Sequence, residues 1–393
     1  MNIKYAVILA GGKGSRIKKY LKNTIKPLIK IGNKSIIEIL LKKICKYNFK
    51  KVFIIAGHKG HLLKKKYNNK SINFTKIECL IEKTPMDTGG ALSLLKFKIN
   101  SDFILFNSDS IFDFDLSKFK FVYKKSLIKI ALTKNNNYLS NKKLSNLILK
   151  KNLIKIRKKN SLMNGGVYLI RKEMINTIPK KKISLENQIL PSLINKKKVE
   201  GSFYKNFFYD IGTPKNLINA NTQIKKNMTR PAVFFDRDGV LNFDKGYTHK
   251  KSELIFLKNV EKTIKFLNNK NYYVFVITNQ SGIARGIFTV NDFVNFSIEF
   301  KKKLSHKDAY IDNVKFCPHH PDGKIKKFSI TCSCRKPNNK LFQELIDEYF
   351  IDIKKSFMIG DSVTDEMMAR KSNIKFSYIK KNHDLFKLIK LMI

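Results

Sequence analysis

The chain has 393 residues, 43% of them hydrophobic, and carries 79 Lys and Arg against 30 Asp and Glu, a formal net charge of +49. That length suggests two or three domains, each able to bury its own core, and no apolar run approaches the roughly 18 residues of a membrane span. Clustered cations would suggest nucleic acid, but here lysine covers nearly every expected helix, Asn, Ile, Phe and Tyr are over-used and Trp is absent, which reads as solvated faces under a composition bias.

Tyr5 to Ala10 reads as a buried strand, too short and too soon followed by glycines to be a signal peptide, so a cytoplasmic chain without membrane attachment is expected. The strand feeds Gly11-Gly12-Lys13-Gly14-Ser15-Arg16, where glycines let backbone N–H groups approach a phosphate chain and Arg16 adds charge. Lys26-Pro27-Leu28 supplies a second cation on a rigid turn, and Ile36 to Ile44 has helical periodicity. Strands are expected at Val52 to Ala56 and Phe103 to Phe106, alternating with helices in an α/β, largely parallel sheet. The second of these ends in Asn107-Ser-Asp109, and Phe207-Phe-Tyr-Asp210 places another carboxylate late in the same domain. Two such aspartates converging on one Mg²⁺ would neutralise a triphosphate.

A short polar junction, Asn227 to Pro231, separates an expected first domain of residues 1–228 from a second of 229–393. The second opens on Ala232-Val-Phe-Phe-Asp236-Arg-Asp238-Gly, an apolar strand running into two carboxylates one residue apart. The first can serve as a nucleophile, and its neighbour can carry a proton and help to bind Mg²⁺. A helix is expected near Val260 to Leu267, then a strand from Tyr272 to Ile277 that ends in Thr278-Asn279-Gln280-Ser-Gly282, where a hydroxyl and backbone amides can hold phosphate. Arg335-Lys336-Pro337 offers cations, and Ser356 to Asp361 is a further strand ending in a carboxylate. Cys317-Pro-His319 and Cys332-Ser-Cys334 have the composition of a closed Zn²⁺ site, with His320 as an alternative imidazole, while Cys45 and Cys79 stand alone.

The first half resembles the sugar-phosphate nucleotidyltransferases, with Gly11 to Arg16 and Lys26-Pro27 as the signature. The resemblance implies a Rossmann-like domain in which Gly11, Gly12, Gly14, Arg16 and Lys26 hold the nucleotide, Arg16 and Lys26 also serving as catalytic cations, and Asp109 and Asp210 hold Mg²⁺. It implies that Thr84 to Ala91, with Asp87, Thr88 and Gly89, reads the nucleotide, and that Asn164, Gly165 and Glu186 face the sugar. Within that family the first half resembles the enzymes that guanylylate a D-glycero-α-D-manno-heptose 1-phosphate. Met86-Asp87 departs from the usual Leu-Gly, and Lys158-Lys159 from Glu-Lys.

The second half resembles the haloacid dehalogenase-type phosphatases. This implies Asp236 as nucleophile, Asp238 as general acid and base and as a metal ligand through its carbonyl, and Thr278, Asn279 and Lys336 as phosphate ligands. Asp361 would complete the Mg²⁺ site with Asp365 behind it, Arg335 would face a distal phosphate, and Ser362 stands where many relatives carry Lys or Arg. The zinc-stapled loop is similar to that of the D-glycero-D-manno-heptose 1,7-bisphosphate 7-phosphatases, with histidinol-phosphate phosphatases as the close alternative. Together the halves imply a bifunctional enzyme using Mg²⁺ and Zn²⁺, heptose phosphates and an NTP, GTP foremost. A hexose 1-phosphate nucleotidyltransferase fused to a histidinol-type phosphatase is the rival pairing, and a nucleic-acid-binding α/β protein is the rival from another class.

Overall fold

The computed structural model describes residues 3–21, 23–134, 146–156, 162–380 and 384–393, so Lys158-Lys159 lies outside the described residues. The chain divides into two compact units, residues 1–45 with 49–227, and residues 46–48 with 228–393.

In the first unit the strand Tyr5–Leu9 runs parallel to Lys51–Ala56 on one side and to Phe103–Asn107 on the other, with Leu9 opposite both Ile55 and Asn107. All five residues of Tyr5–Leu9 are buried, as a strand covered on both faces requires, and its unbroken apolar run follows from that. Thr75–Ile81 extends the parallel set beyond Lys51–Ala56. On the other flank Met163–Ile170 pairs antiparallel with Phe103–Asn107 and with Ile128–Thr133, and Val199–Phe203 runs parallel to Ile128–Thr133. The ten-stranded sheet is therefore mixed, where a largely parallel one was expected. Among the described residues, the segment between Ile128–Thr133 and Met163–Ile170 forms the hairpin Leu147–Lys150 with Leu153–Ile156, and no helix there makes the crossover that a parallel return needs.

The second unit is a five-stranded parallel sheet in the spatial order Asn313–Cys317, Tyr273–Asn279, Ala232–Phe235, Phe357–Gly360, Lys375–Tyr378. Side chains on its central strand alternate between faces. Val233 and Phe235 pack with Val260, Ile264, Phe296, Leu304 and Ile389 from the helices Val260–Asn269, Val290–Ser305 and Leu385–Met392. Ala232 and Phe234 pack on the opposite face with Leu341, Phe342 and Leu345 from Lys340–Glu348 and Met368 from Val363–Lys371. Each wholly buried Phe contributes roughly 2–3 kcal/mol of transfer free energy, so the paired cores fix the strand and leave its carboxyl end, Asp236, at a defined place. No helix of the described residues is long and apolar enough to cross a membrane.

Candidate active sites

Because Tyr5–Leu9, Lys51–Ala56 and Phe103–Asn107 are parallel and in register, their carboxyl ends lie side by side. The loops leaving them line a cleft of about 900 Å³ with Gly11, Gly12, Gly14, Lys26, Asp109 and, from later segments, Asp87, Thr88 and Glu186. Gly14 has φ +64°, a left-handed turn that glycine takes without steric cost and that starts the 3₁₀ turn Ser15–Ile17.

A two-stranded antiparallel ribbon, Ser110–Phe112 with Phe208–Asp210, sets Asp210 opposite Ser110, the residue after Asp109. Asn216 fixes this end by donating to the Asp210 carbonyl at 2.7 Å, while Ile211 N–H donates to the Asp109 carbonyl at 3.0 Å. Lys26 Nζ lies 2.7 Å from the Asp109 carboxylate. A methyl group on Gly212 would stand within 2.6 Å of Asp210 Oδ1, 3.4 Å of Lys26 Nζ and 3.5 Å of Arg16 Nη2, so two cations and a carboxylate converge where only a glycine fits. Asp109 and Asp210 are hard oxygen donors brought to neighbouring backbone positions, a donor set that suits Mg²⁺.

Some expected contacts are redistributed. The Thr88 hydroxyl, in the cleft lining, donates to Glu186 Oε2 at 2.5 Å and accepts from Leu185 N–H at 2.9 Å, so it orients the Glu186 carboxylate. Gly89 does not line the cleft; its N–H donates to the Ile183 carbonyl, and an added Cβ would lie 2.9 Å from that oxygen. Asn164 and Gly165 are buried in Met163–Ile170, at the shift of register against Ile128–Thr133. The Asn164 amide donates to Tyr168 Oη at 2.8 Å and its carbonyl accepts from Gly166 N–H, while a Cβ on Gly165 would enter the Phe112 ring. Tyr168 in turn donates to Glu186 at 3.2 Å, so Asn164 acts behind Glu186.

Glu82 was missed. It follows the strand Thr75–Ile81, and the rule that picked out Asp109, a carboxylate at a strand's carboxyl end, would have found it. Its carboxylate would lie 2.5 Å from a Cβ on Gly11 and 2.4 Å from one on Gly57, so both glycines make room for it at the head of the cleft. Burial raises its pKa, Met86 N–H opposes the rise and the Asp87 charge adds to it. Asp87 lines the same cleft but is exposed, at φ +55°, which explains why glycine suits that position.

In the second unit the nucleophile candidate Asp236 sits at the end of the central strand, 2.8 Å from Lys336 Nζ. The same ammonium lies 2.5 Å from Asp365 and donates to the Ile277 carbonyl at 2.9 Å. Burial pushes the Asp236 carboxyl up to about 7, with Lys336 opposing and the charges of Asp365 and Asp238 reinforcing the rise. Oxygens of Asp236, Asp361 and Asp365 lie within 4.8 Å of one another. Asp361 is also raised, first by burial and then by Asp365. Three crowded carboxylates against one ammonium fit a hard divalent cation.

Asp365 thus joins the cluster directly. The Asp238 side chain does not: Arg237, Asn242 and Gln280 hold it. Asn279 also departs from expectation, since its amide donates to the Lys336 carbonyl at 3.1 Å and accepts from Lys336 N–H at 3.0 Å, which places it behind the lysine. Thr278 is buried at the strand end, with Gln280 Nε2 donating to its hydroxyl at 2.9 Å.

Cys317, His319, Cys332 and Cys334 come together with contacts of 3.2 to 3.7 Å among their sulfur and Nδ1 atoms. With Zn–S near 2.3 Å, ligands at tetrahedral corners are separated by about 3.8 Å, so the four residues fit zinc. His320 is outside the cluster, with Nε2 3.3 Å from Arg285 Nη2. Residues 318–339 hold neither helix nor strand, so this cluster is the tether for the loop that presents Lys336. Arg335 Nη1 donates to the His319 carbonyl at 3.4 Å on the same loop.

Residues 5–137 match the family model described as nucleotidyl transferase, and residues 232–384 match that of polynucleotide kinase 3 phosphatase. The D-glycero-beta-D-manno-heptose-1,7-bisphosphate 7-phosphatase of Yersinia pestis is 39% identical over 144 residues, 37% of this chain and 77% of that protein. The phosphatase of the same name from Rhodopseudomonas palustris is 37% identical over 158 residues, 40% of this chain and 88% of that protein. Through its second unit, the chain belongs to this phosphatase family. The first unit is a nucleotidyltransferase. The solved structure of HddC from Yersinia pseudotuberculosis superposes with a TM-score of 0.48 at 24% identity, covering 56% of this chain and 100% of that one.

Proposed function

We propose that the chain makes a nucleotide-activated heptose in two steps, removing the 7-phosphate of D-glycero-D-manno-heptose 1,7-bisphosphate and then transferring a nucleotidyl group, GMP from GTP, to the heptose 1-phosphate. The observation that carries this reading is the pairing, in one chain, of the Asp236–Lys336–Asp365 centre of a heptose bisphosphate phosphatase family with a nucleotidyltransferase cleft. The first product is the nucleophile that the second reaction requires.

In the phosphatase unit Asp236 attacks phosphorus, the bond to the sugar oxygen breaks, and Asp238 gives that oxygen its proton. Asp238 then takes a proton from the water that cleaves the aspartyl-phosphate. Lys336 and the Thr278 hydroxyl hold the phosphoryl oxygens. Mg²⁺ held by Asp236, Asp361 and the Asp238 carbonyl, with Asp365 beside them, would supply charge neutralisation. The Cys317–His319–Cys332–Cys334 set would hold structural Zn²⁺, and Arg335 suits a distal phosphate.

In the transferase unit an oxygen of the sugar 1-phosphate attacks the α-phosphorus and pyrophosphate leaves. No covalent enzyme intermediate is required, so orientation and charge do the catalysis. Gly11, Gly12, Gly14, Arg16 and Lys26 would bind the triphosphate, with Asp109 and Asp210 holding Mg²⁺. Glu186, steadied by Thr88 and Tyr168, would accept sugar hydroxyls. Support for guanine comes from Glu82, a desolvated carboxylate at the cleft head that can take N1–H and N2–H₂ together. Asp87, at the cleft edge, would add a second acceptor.

The test supplies heptose 1,7-bisphosphate, as each anomer, with Mg²⁺ and each of the four nucleoside triphosphates, and identifies the products by mass. GDP-heptose with inorganic phosphate and pyrophosphate is expected. Efficient use of CTP or dTTP would overturn guanylyl transfer, and release of no phosphate from either anomer would overturn the heptose assignment.

A further inference from the structure

Arg237 is a cation between two carboxylates, and its packing is unlike that of a surface residue. Its side chain is 3% exposed, with the guanidinium 4.7 Å from the Phe296 ring centroid and 5.5 Å from that of Phe293. Nε donates to both Asp238 oxygens at 3.0 and 3.1 Å, and Nη2 donates to Oδ2 at 2.7 Å, to the Thr248 carbonyl at 2.8 Å and to Gln280 Oε1 at 3.2 Å. Gln280 is buried too, and its Nε2 donates both to Asp238 Oδ2 and to the Thr278 hydroxyl, each at 2.9 Å. Asn242, wholly buried, donates to Asp238 Oδ1 at 2.9 Å.

The Asp238 carboxylate is therefore gripped from three sides by groups that are themselves buried, and it stays out of the cluster formed by Asp236, Asp361 and Asp365. A free carboxylate two residues from Asp236 would be drawn towards any cation bound there. We infer that Arg237, with Gln280, is a positioning residue that reserves the Asp238 carboxylate for proton transfer to the leaving oxygen. Gln280 sets the distance from that carboxylate to Thr278, so the proton donor and the phosphate-binding hydroxyl are registered through one amide. The inference rests on Asp238 as general acid, as proposed above. In the step concerned, the Asp236–phosphorus bond forms, the phosphorus–alkoxide bond breaks, and the Asp238 proton passes to the departing oxygen to give the alcohol.

The leaving group separates positioning from structure. A sugar alkoxide needs the proton, whereas 4-nitrophenolate stabilises its own charge. Because kcat/KM reports events up to cleavage of the ester, the ratio of kcat/KM for heptose bisphosphate to that for 4-nitrophenyl phosphate measures the general acid. Measured on one preparation, that ratio is independent of how much protein is folded. In the full chain with Mg²⁺, Arg237→Lys is expected to lower the ratio on the order of 100-fold, the scale of general-acid catalysis, and Gln280→Met to lower it by a smaller factor. Asp238→Asn is the reference. If Asp238→Asn leaves the ratio unchanged, the general-acid assignment falls and the inference with it. If Asp238→Asn lowers the ratio while Arg237→Lys and Gln280→Met keep the parental value, positioning by Arg237 is overturned and the phosphatase assignment stands. Should Arg237→Lys fail to fold, Gln280→Met decides: a lowered ratio supports the inference, and a parental ratio overturns it.

Discussion

Lys336 is the cation of a buried carboxylate cluster in the second unit, and Lys336→Met tests what it contributes to stability and to phosphate release. The ammonium is 2% exposed and stands 2.8 Å from Asp236 and 2.5 Å from Asp365, with the Ile277 carbonyl as third acceptor. Methionine fills much the same volume but leaves two carboxylates facing one another at low solvent access. Breaking a buried pair by removing one partner costs about 3–5 kcal/mol. With a urea slope near 2 kcal/mol per molar, that corresponds to a midpoint lower by about 2 M for the second unit. The measurement belongs in EDTA, because a divalent cation at Asp236, Asp361 and Asp365 would offset part of the loss. Urea unfolding followed by near-ultraviolet signals, with nucleotidyl transfer as the reporter for the first unit, distinguishes local from general damage. Phosphatase turnover in Mg²⁺ should also fall on the order of 100- to 1,000-fold, as for loss of one preorganised donor to a developing charge. An unchanged midpoint in EDTA would refute the assignment of a buried ion pair to Lys336.

Asp236→Asn should abolish phosphate release and leave nucleotidyl transfer from supplied sugar 1-phosphate intact, since an amide cannot attack phosphorus; turnover near the parental rate would exclude it as nucleophile. About one Zn²⁺ per chain should co-purify, and Cys332→Ser should lower the melting temperature of the second unit and its phosphatase rate before transferase activity changes; zinc-free protein by metal analysis would rule the site out. Glu82→Gln should reduce the preference for GTP over dTTP by roughly 10- to 100-fold, the loss of about 1.4–2.8 kcal/mol of hydrogen bonding to charge, with kcat on GTP less affected; a parental preference would move base reading to another residue. Asp87→Gly should reduce the same preference by a smaller factor without abolishing turnover, because glycine adopts the left-handed backbone of that position; a loss of all activity would contradict it.

What could be read from the sequence follows physical cause. Strands covered on both faces need unbroken apolar runs, so Tyr5–Leu9, Ala232–Phe235 and Phe357–Gly360 stand out along the chain. Strand Met163–Ile170 does not, because Asn164, Gly165 and Gly166 interrupt it, although all eight residues are buried. Its glycines are dictated by tertiary neighbours, the Phe112 ring beside Gly165 and Ser110 and Asn107 beside Gly166, and no local pattern reports those. The meeting of Cys317, His319, Cys332 and Cys334 was legible because two short Cys- and His-bearing motifs stand out in a chain with few of either residue. The assignment of Asp238 among its partners was not. Arg237 between two acids has the local look of a solvated charge, and only the Phe293 and Phe296 rings from the helix Val290–Ser305 show it to be buried. Asp365 is four residues beyond Asp361, one helical turn, and its place against Lys336 depends on Gly360, where any Cβ would lie 2.4 Å from that of Asp365.

Both readings place phosphoryl chemistry at the carboxyl ends of parallel strands, yet in one a phosphoryl group passes by way of Asp236 to water and in the other a nucleotidyl group passes to a sugar phosphate. The difference lies in where protons can go. Water is a poor nucleophile until a base takes its proton, and in the second unit Asp238, tied to the Thr278 hydroxyl through the Gln280 amide, is the residue proposed for that task. A sugar phosphate oxygen is already anionic and needs no base. In the first unit the Asp109 carboxylate, on the proposed phosphate path, is paired with Lys26 at 2.7 Å, and the Asp210 side chain accepts from Gly212 N–H. The Lys26 ammonium beside Asp109 holds that carboxylate away from service as a base for water. Freeing that carboxylate should then show as a leak: Lys26→Met would be expected to slow transfer to the sugar phosphate more than hydrolysis of the triphosphate, raising the ratio of hydrolysis to transfer. A ratio unchanged from the parent, with transfer slowed, would mean that Lys26 acts on the triphosphate alone and that water is excluded by other means.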